Sequence, residues 1–134
     1  MKVCRIAKFN AAHRLYRPDW SDEKNNLIFG KCNNPNFHGH NYKLEVWVSG
    51  KIDPETGYVI DLKVLKEIIN NEIIERFDHR NLNLDCPEFQ DLNPTAEYIS
   101  IVCWDLLRAK LDSTYDLSVR LWETENNLFE YSGS

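Results

Sequence analysis

The sequence predicts an α+β domain, an antiparallel sheet of four strands with two helices packed on one face. Two changes of apolar period carry that expectation. From His38 to Ser49 one face of an extended chain holds His38, His40, Tyr42, Leu44, Val46 and Val48. The other holds Asn41, Lys43 and Glu45, with Trp47 as the exception. Beyond residue 61, and again beyond residue 93, the apolar spacing becomes helical.

Each element follows in order. Val3 to His13 is compatible with a first strand, and 24 residues, Arg14 to Phe37, separate it from the strand at 38–49. So long a connection in a compact domain is often functional. Asp53-Pro54-Glu55-Thr56-Gly57 signals a turn leading into Tyr58-Val59-Ile60, which together suggest a hairpin. Asp61 is a candidate N-cap for a helix to about Phe77, with Leu62, Leu65, Ile69 and Ile73 as its stripe. Asn93-Pro94 reads as a cap followed by proline at the first helical position, and Ile99, Val102, Cys103 and Leu106 as that helix's apolar face. Alternation returns over Tyr115, Leu117, Val119, Leu121 and Glu123, and a short strand from Leu128 to Tyr131 ends the chain. An open sheet of this kind has two exposed edges, which invite pairing with further copies.

A length of 134 residues fits a single domain over 1–134, and 43% hydrophobic residues suffice for a modest core. The net charge of −5 argues against a nucleic-acid partner, which calls for a basic excess. No apolar run is long enough to span a membrane, and Met1-Lys2-Val3-Cys4-Arg5 lacks the apolar segment of a signal peptide, so a cytoplasmic protein is expected. The four cysteines, Cys4, Cys32, Cys86 and Cys103, are irregularly spaced, and free thiols are the expectation.

The chemistry concentrates on three histidines. On an extended strand His38 and His40 lie on one face, with Gly39 between them on the other. If the first two strands pair antiparallel, His13 at the end of the first lies beside His38 at the start of the second. Three neutral imidazoles suit Zn²⁺ with a fourth position open. Cys32, in the long connection, is a candidate nucleophile, proton acceptor or ligand beside such a cation. Asp78 and His79 form a dipeptide in which a carboxylate can orient an imidazole for proton transfer. Glu123 continues the apolar face of its strand, so either donors meet its carboxylate or the strand ends there in water. Thr95 and Glu97 sit where capping and dipole complementarity would place them.

These residues fall within a pattern covering nearly the whole chain: Phe9-Asn10-Ala11-Ala12-His13-Arg14-Leu15, Gly30-Lys31-Cys32-Asn33-Asn34-Pro35, His38-Gly39-His40-Asn41-Tyr42, Gly57-Tyr58-Val59-Ile60-Asp61-Leu62, Asp78-His79-Arg80-Asn81-Leu82-Asn83, Asn93-Pro94-Thr95-Ala96-Glu97 and Glu123-Thr124. With these blocks the chain resembles the 6-pyruvoyltetrahydropterin and 6-carboxytetrahydropterin synthases. The resemblance implies a tunnelling fold, its sheets joined into an oligomeric barrel of three or six copies with active sites where subunits meet. It also implies zinc on His13, His38 and His40, and 7,8-dihydroneopterin triphosphate as substrate. Cys32 would be the catalytic base, Asp78 and His79 its proton relay, and Glu123 the pterin anchor with Thr95 and Glu97 nearby. A carboxylate matches the paired donors of a pterin edge.

The C-x5-H-G-H spacing from Cys32 to His40 resembles the pyruvoyl branch, which loses triphosphate. The carboxy branch, of queuosine biosynthesis, cleaves the side chain and releases acetaldehyde and triphosphate. Phe37 departs from the small residue expected before H-G-H, which bears on the product. Two rival classes remain: a non-catalytic module with a closed Cys-His₃ structural zinc site, and a metal hydrolase acting on a nucleotide. Arg14, Arg17 and Lys31 are candidate phosphate contacts, with solvated loop charges as the plainer role.

Overall fold

The computed structural model describes residues 1–134. Strands β1 (Lys2–His13) and β2 (His38–Ser49) pair antiparallel along their whole length, and β2 pairs with β4 (Asp116–Thr124), which pairs with β5 (Asn127–Tyr131). A two-residue strand, β3 (Arg80–Asn81), joins the outer side of β1. The sheet order is therefore β3-β1-β2-β4-β5.

The expected four-stranded antiparallel sheet is thus corrected to five strands of mixed sense, because β3 runs parallel to β1. Two residues carry no readable period. What fixes them is β1 itself: the Asn10 carbonyl accepts from the His79 N–H at 2.6 Å, and the Asn10 N–H donates to Asp78 Oδ1 at 2.9 Å.

Helix α1 (Asp22–Phe29) and a 3₁₀ turn (Gly30–Asn33) occupy the long connection after β1. Ser21 caps α1 by accepting from the Lys24 N–H. The helix has no apolar stripe, leaving Leu27 and Ile28 exposed, which is why its period was unreadable. Helix α2 (Leu62–Ile69) begins at Asp61 as expected, the side chain accepting from the Lys63 N–H. It continues through a π-helical stretch (Asn70–Ile74) into a last turn, α3 (Glu75–Phe77). Helix α4 (Leu82–Asp85) and a 3₁₀ turn (Pro87–Phe89) lead towards α5 (Ala96–Arg108).

Two expectations about boundaries fail. The turn at 53–57 forms, with the Gly57 N–H donating to the Asp53 carbonyl at 2.7 Å, but Tyr58 to Ile60 makes no strand. Val59 alone of the three is buried there, so one packed side chain replaces a ladder. The second helix is capped by Thr95, which accepts from the Tyr98 N–H, rather than by Asn93. The Asn93 side chain instead accepts from the Tyr16 N–H, tying the segment after β1 to the approach of α5.

The core lies between one sheet face and the helices. Phe9, Tyr42, Leu44, Val46, Val119 and Leu121 from the strands meet Leu65, Ile69, Ile73, Phe77, Ile99, Cys103 and Leu107 from the helices. Each fully buried large aliphatic or aromatic side chain contributes about 1.5–3 kcal/mol, so this layer holds the ends of β1 and β2 rigid. No helix is long and apolar enough to cross a membrane. All four cysteines are free thiols, Cys103 fully buried.

Candidate metal centre and its surroundings

The last residue pair of the β1–β2 ladder is His13 with His38, preceded by Ala11 with His40 and Phe9 with Tyr42. All six side chains share the helix-covered face. Small Ala11 opposite His40 leaves room for the ring. On the other face a Cβ at Gly39 would stand 3.3 Å from the Ala11 carbonyl oxygen, so a side chain there would press the strands apart.

Register alone therefore gathers three imidazoles, with ligand nitrogens within 4.8 Å of one another. His13 is 1% exposed, and its Nδ1 lies 2.7 Å from the Pro94 carbonyl oxygen. A carbonyl only accepts, so Nδ1 carries the proton and Nε2 presents its lone pair to the cluster. That Nε2 is buried without a partner, as is Nδ1 of His38. Burial lowers the His13 pKa to about 4, and lowers those of His38 and His40 as well. Three neutral, nitrogen-only donors around orphaned ring atoms suit Zn²⁺, with a fourth position left over. Tyr42 floors the group, and burial pushes its hydroxyl far above the ordinary range.

Cys32 lies in the 3₁₀ turn, which is fastened beside the end of β1. The Leu15 N–H donates to the Cys32 carbonyl at 2.8 Å, and Arg14 Nε donates to the Asn33 carbonyl at 2.9 Å. Its sulfur is not among the mutually close ligand atoms, so no closed Cys-His₃ set forms. Phe37, immediately before His38, holds a left-handed backbone with φ of 68°.

Glu123 stands on the same sheet face as the histidines, at a register irregularity between Trp122 and Thr124 that leaves it out of the β4–β5 ladder. Bulges re-aim side chains in this way. Half-burial raises its pKa, the Glu97 charge adds to the rise, and His38 opposes it. No hydrogen bond within the chain engages the carboxylate. Thr95 and Glu97 open α5 directly after Pro94, so the segment that orients His13 also brings them to this end of the sheet.

Asp78 and His79 do not join this group. Asp78 Oδ2 sits 3.0 Å from His79 Nδ1, and the His79 side chain is 82% exposed. The Asn10 N–H holds the Asp78 carboxyl below its ordinary range. Both residues line a cleft of about 800 Å³ that also includes Lys8, Asn10, Asn41, Lys43 and Trp122, strand residues whose side chains belong to the helix-free face. Of the phosphate candidates, Arg14 is occupied by Asn33 and lies over the Tyr16 ring, and Arg17 pairs with Asp19, while Lys31 is exposed. Pro94 as the orienter of His13 escaped the sequence reading, since no local pattern marks a carbonyl that acts 81 residues away.

A family profile described as 6-pyruvoyl tetrahydropterin synthase matches residues 2–134. The human 6-pyruvoyl tetrahydrobiopterin synthase is 46% identical over 132 residues, spanning 98% of this chain and 91% of that protein. A dihydroneopterin monophosphate aldolase of Pyrococcus furiosus is 33% identical, over 91% of this chain and 89% of its own length. The solved structure of Caenorhabditis elegans 6-pyruvoyl tetrahydropterin synthase superposes with a TM-score of 0.94 at 38% identity, covering 100% of this chain and 96% of that one.

Proposed function

The chain belongs to the 6-pyruvoyl tetrahydropterin synthase family, and on that premise we propose that it is a zinc-dependent lyase. Its substrate is 7,8-dihydroneopterin triphosphate and its product 6-pyruvoyltetrahydropterin, with loss of triphosphate. The observation that carries the reading is the three-histidine cluster with two partnerless buried nitrogens, on the same sheet face as the unengaged Glu123.

Zinc held by His13, His38 and His40 supplies Lewis-acid polarisation of the substrate's side-chain hydroxyls when bound. Glu123 accepts the paired N–H donors of the pterin edge in fork geometry, with Thr95 and Glu97 beside it. Cys32, as thiolate, takes the carbon-bound proton of the side chain. The relay that receives this proton is Asp78 and His79, which one chain presents on the other side of its sheet. A neighbouring copy supplies them. The unpaired edge of β5 and the part of β1 not covered by β3 are the surfaces on which such copies join into a trimeric barrel or a hexamer.

Mixing two inactive variants, Cys32→Ala and His79→Ala, tests this arrangement. Mixed oligomers contain sites with both residues intact, so part of the activity returns. Cys32→Ala alone keeps its zinc and loses turnover by about 10²–10⁴-fold. Zinc loss in Cys32→Ala, or no recovery on mixing, would sink the assignment. A second reading, cleavage of the side chain to a 6-carboxy product, is kept open by bulky Phe37 immediately before the metal ligands; the aldolase among the relatives is named for carbon–carbon cleavage and not for that product. Product mass and an acetaldehyde assay separate the two.

A further inference from the structure

We propose that the cleft on the helix-free sheet face is a polyphosphate subsite built on Lys8 and Lys43. The two residues are direct partners across the β1–β2 ladder. Like charges placed opposite each other destabilise a sheet unless something neutralises them. No ion pair of the chain involves either lysine, since those present are made by Arg17, Arg76, His79, Lys110 and Arg120. Against burial, the Lys43 charge helps lower the pKa of Glu45 without pairing with it, and no acid of shifted pKa owes its shift to Lys8.

Lys43 is nevertheless held in place. Its Nζ lies 4.6 Å above the Trp122 ring, and the Trp122 indole N–H donates to Glu45, whose other oxygen accepts from Trp47. One turn of the pleat further on, Asn10 Nδ2 donates to Asn41 Oδ1 at 2.6 Å, which leaves the Asn41 amide N–H groups as free donors at the cleft. The oxygens of the nearby acids are engaged within the chain, Glu45 by two indoles and Asp78 by the Asn10 N–H and His79, though both keep their charge, and Glu125 stands at the exposed rim. A volume of about 800 Å³ accommodates a triphosphate chain.

The assignment to the substrate's own tail rests on the function proposed above. Asp78 and His79 share this cleft, so where they complete a neighbour's site, Lys8 and Lys43 stand beside that site too. A chain of net charge −5 needs such local cations to receive a polyanion.

The test titrates sodium tripolyphosphate into the zinc-loaded full chain by calorimetry, for the wild type, Lys8→Gln/Lys43→Gln and Lys43→Arg. The double variant binds about tenfold or more weakly, while Lys43→Arg retains affinity. Zinc content and melting temperature report an intact fold, and Lys8→Gln alone serves if the double variant does not fold. Equal affinity in wild type and glutamine variants overturns the subsite. A second arm compares 7,8-dihydroneopterin triphosphate with unphosphorylated 7,8-dihydroneopterin. Weakening confined to the phosphorylated compound assigns the cleft to the substrate's tail, and equal weakening of both overturns that assignment. If the wild type shows no turnover but tripolyphosphate binding still depends on the lysines, the subsite stands as a free polyphosphate site and the proposed reaction falls.

Discussion

Protonating His13 should destabilise the metal-free protein, and the size of the effect follows from its burial. The ring is 1% exposed, and its pKa falls from 6.5 to about 4. The unfolded chain therefore binds more protons than the folded one between those values. Stability contributed by neutral His13 is complete above pH 6.5 and lost as pH falls towards 4. Between pH 7 and pH 5 the loss from this residue is about 2 kcal/mol. His38 and His40, also lowered, add to it, while Glu123, raised, acts in the opposite direction.

Urea denaturation of chelator-treated protein at pH 7 and pH 5, at one protein concentration, measures the difference. His13→Asn isolates the residue, because the amide nitrogen takes the place of Nδ1 opposite Pro94 without titrating. The variant should be less stable at pH 7 yet lose about 2 kcal/mol less on acidification. The same pH dependence in wild type and His13→Asn would refute the reasoning.

Three further outcomes are expected. His40→Ala should lower zinc from about one per chain to well below stoichiometry by elemental analysis, since two imidazoles replace three; full occupancy would contradict the site. Glu123→Gln should weaken pterin binding about tenfold or more in a fluorescence titration without changing zinc content, because its NH₂ opposes the ligand's donors; unchanged affinity would remove the anchor role. At Phe37 the usual order of alanine and glycine should invert. With φ at 68°, Phe37→Gly should be more stable than Phe37→Ala by about 1 kcal/mol in chemical denaturation, and an alanine variant equal to or better than glycine would show that the backbone is not strained there.

Much of the site was legible because it depends on strand register. H-x-H on an extended chain fixes two rings on one face, and an antiparallel partner ending in His13 brings the third, whatever lies between. Strand β2 was readable to its ends for the same reason: a face buried against helices enforces a period of two. Even Trp47, the exception to that pattern, follows the pleat; it lies beside Glu45 on the outer face, and its indole N–H donates to that carboxylate. Helix α1 was unreadable because its order comes from a cap and from buried Asn25 rather than from an apolar stripe.

By itself the sequence determined what periodicity and local chemistry encode: strands β1, β2, β4 and β5, the helix from Asp61, the convergence of His13, His38 and His40, and the inward face of Glu123. Only the tertiary structure decided what depends on contacts between distant segments. Pro94 orients His13, Asn10 pins Asp78 and creates the parallel strand β3, and Asp78 with His79 lines the cleft on the helix-free face, apart from the three histidines. Backbone carbonyls and amides have no identity in a sequence. Which of them meets a given side chain is fixed only when the packed core sets the distances between strands, helices and turns.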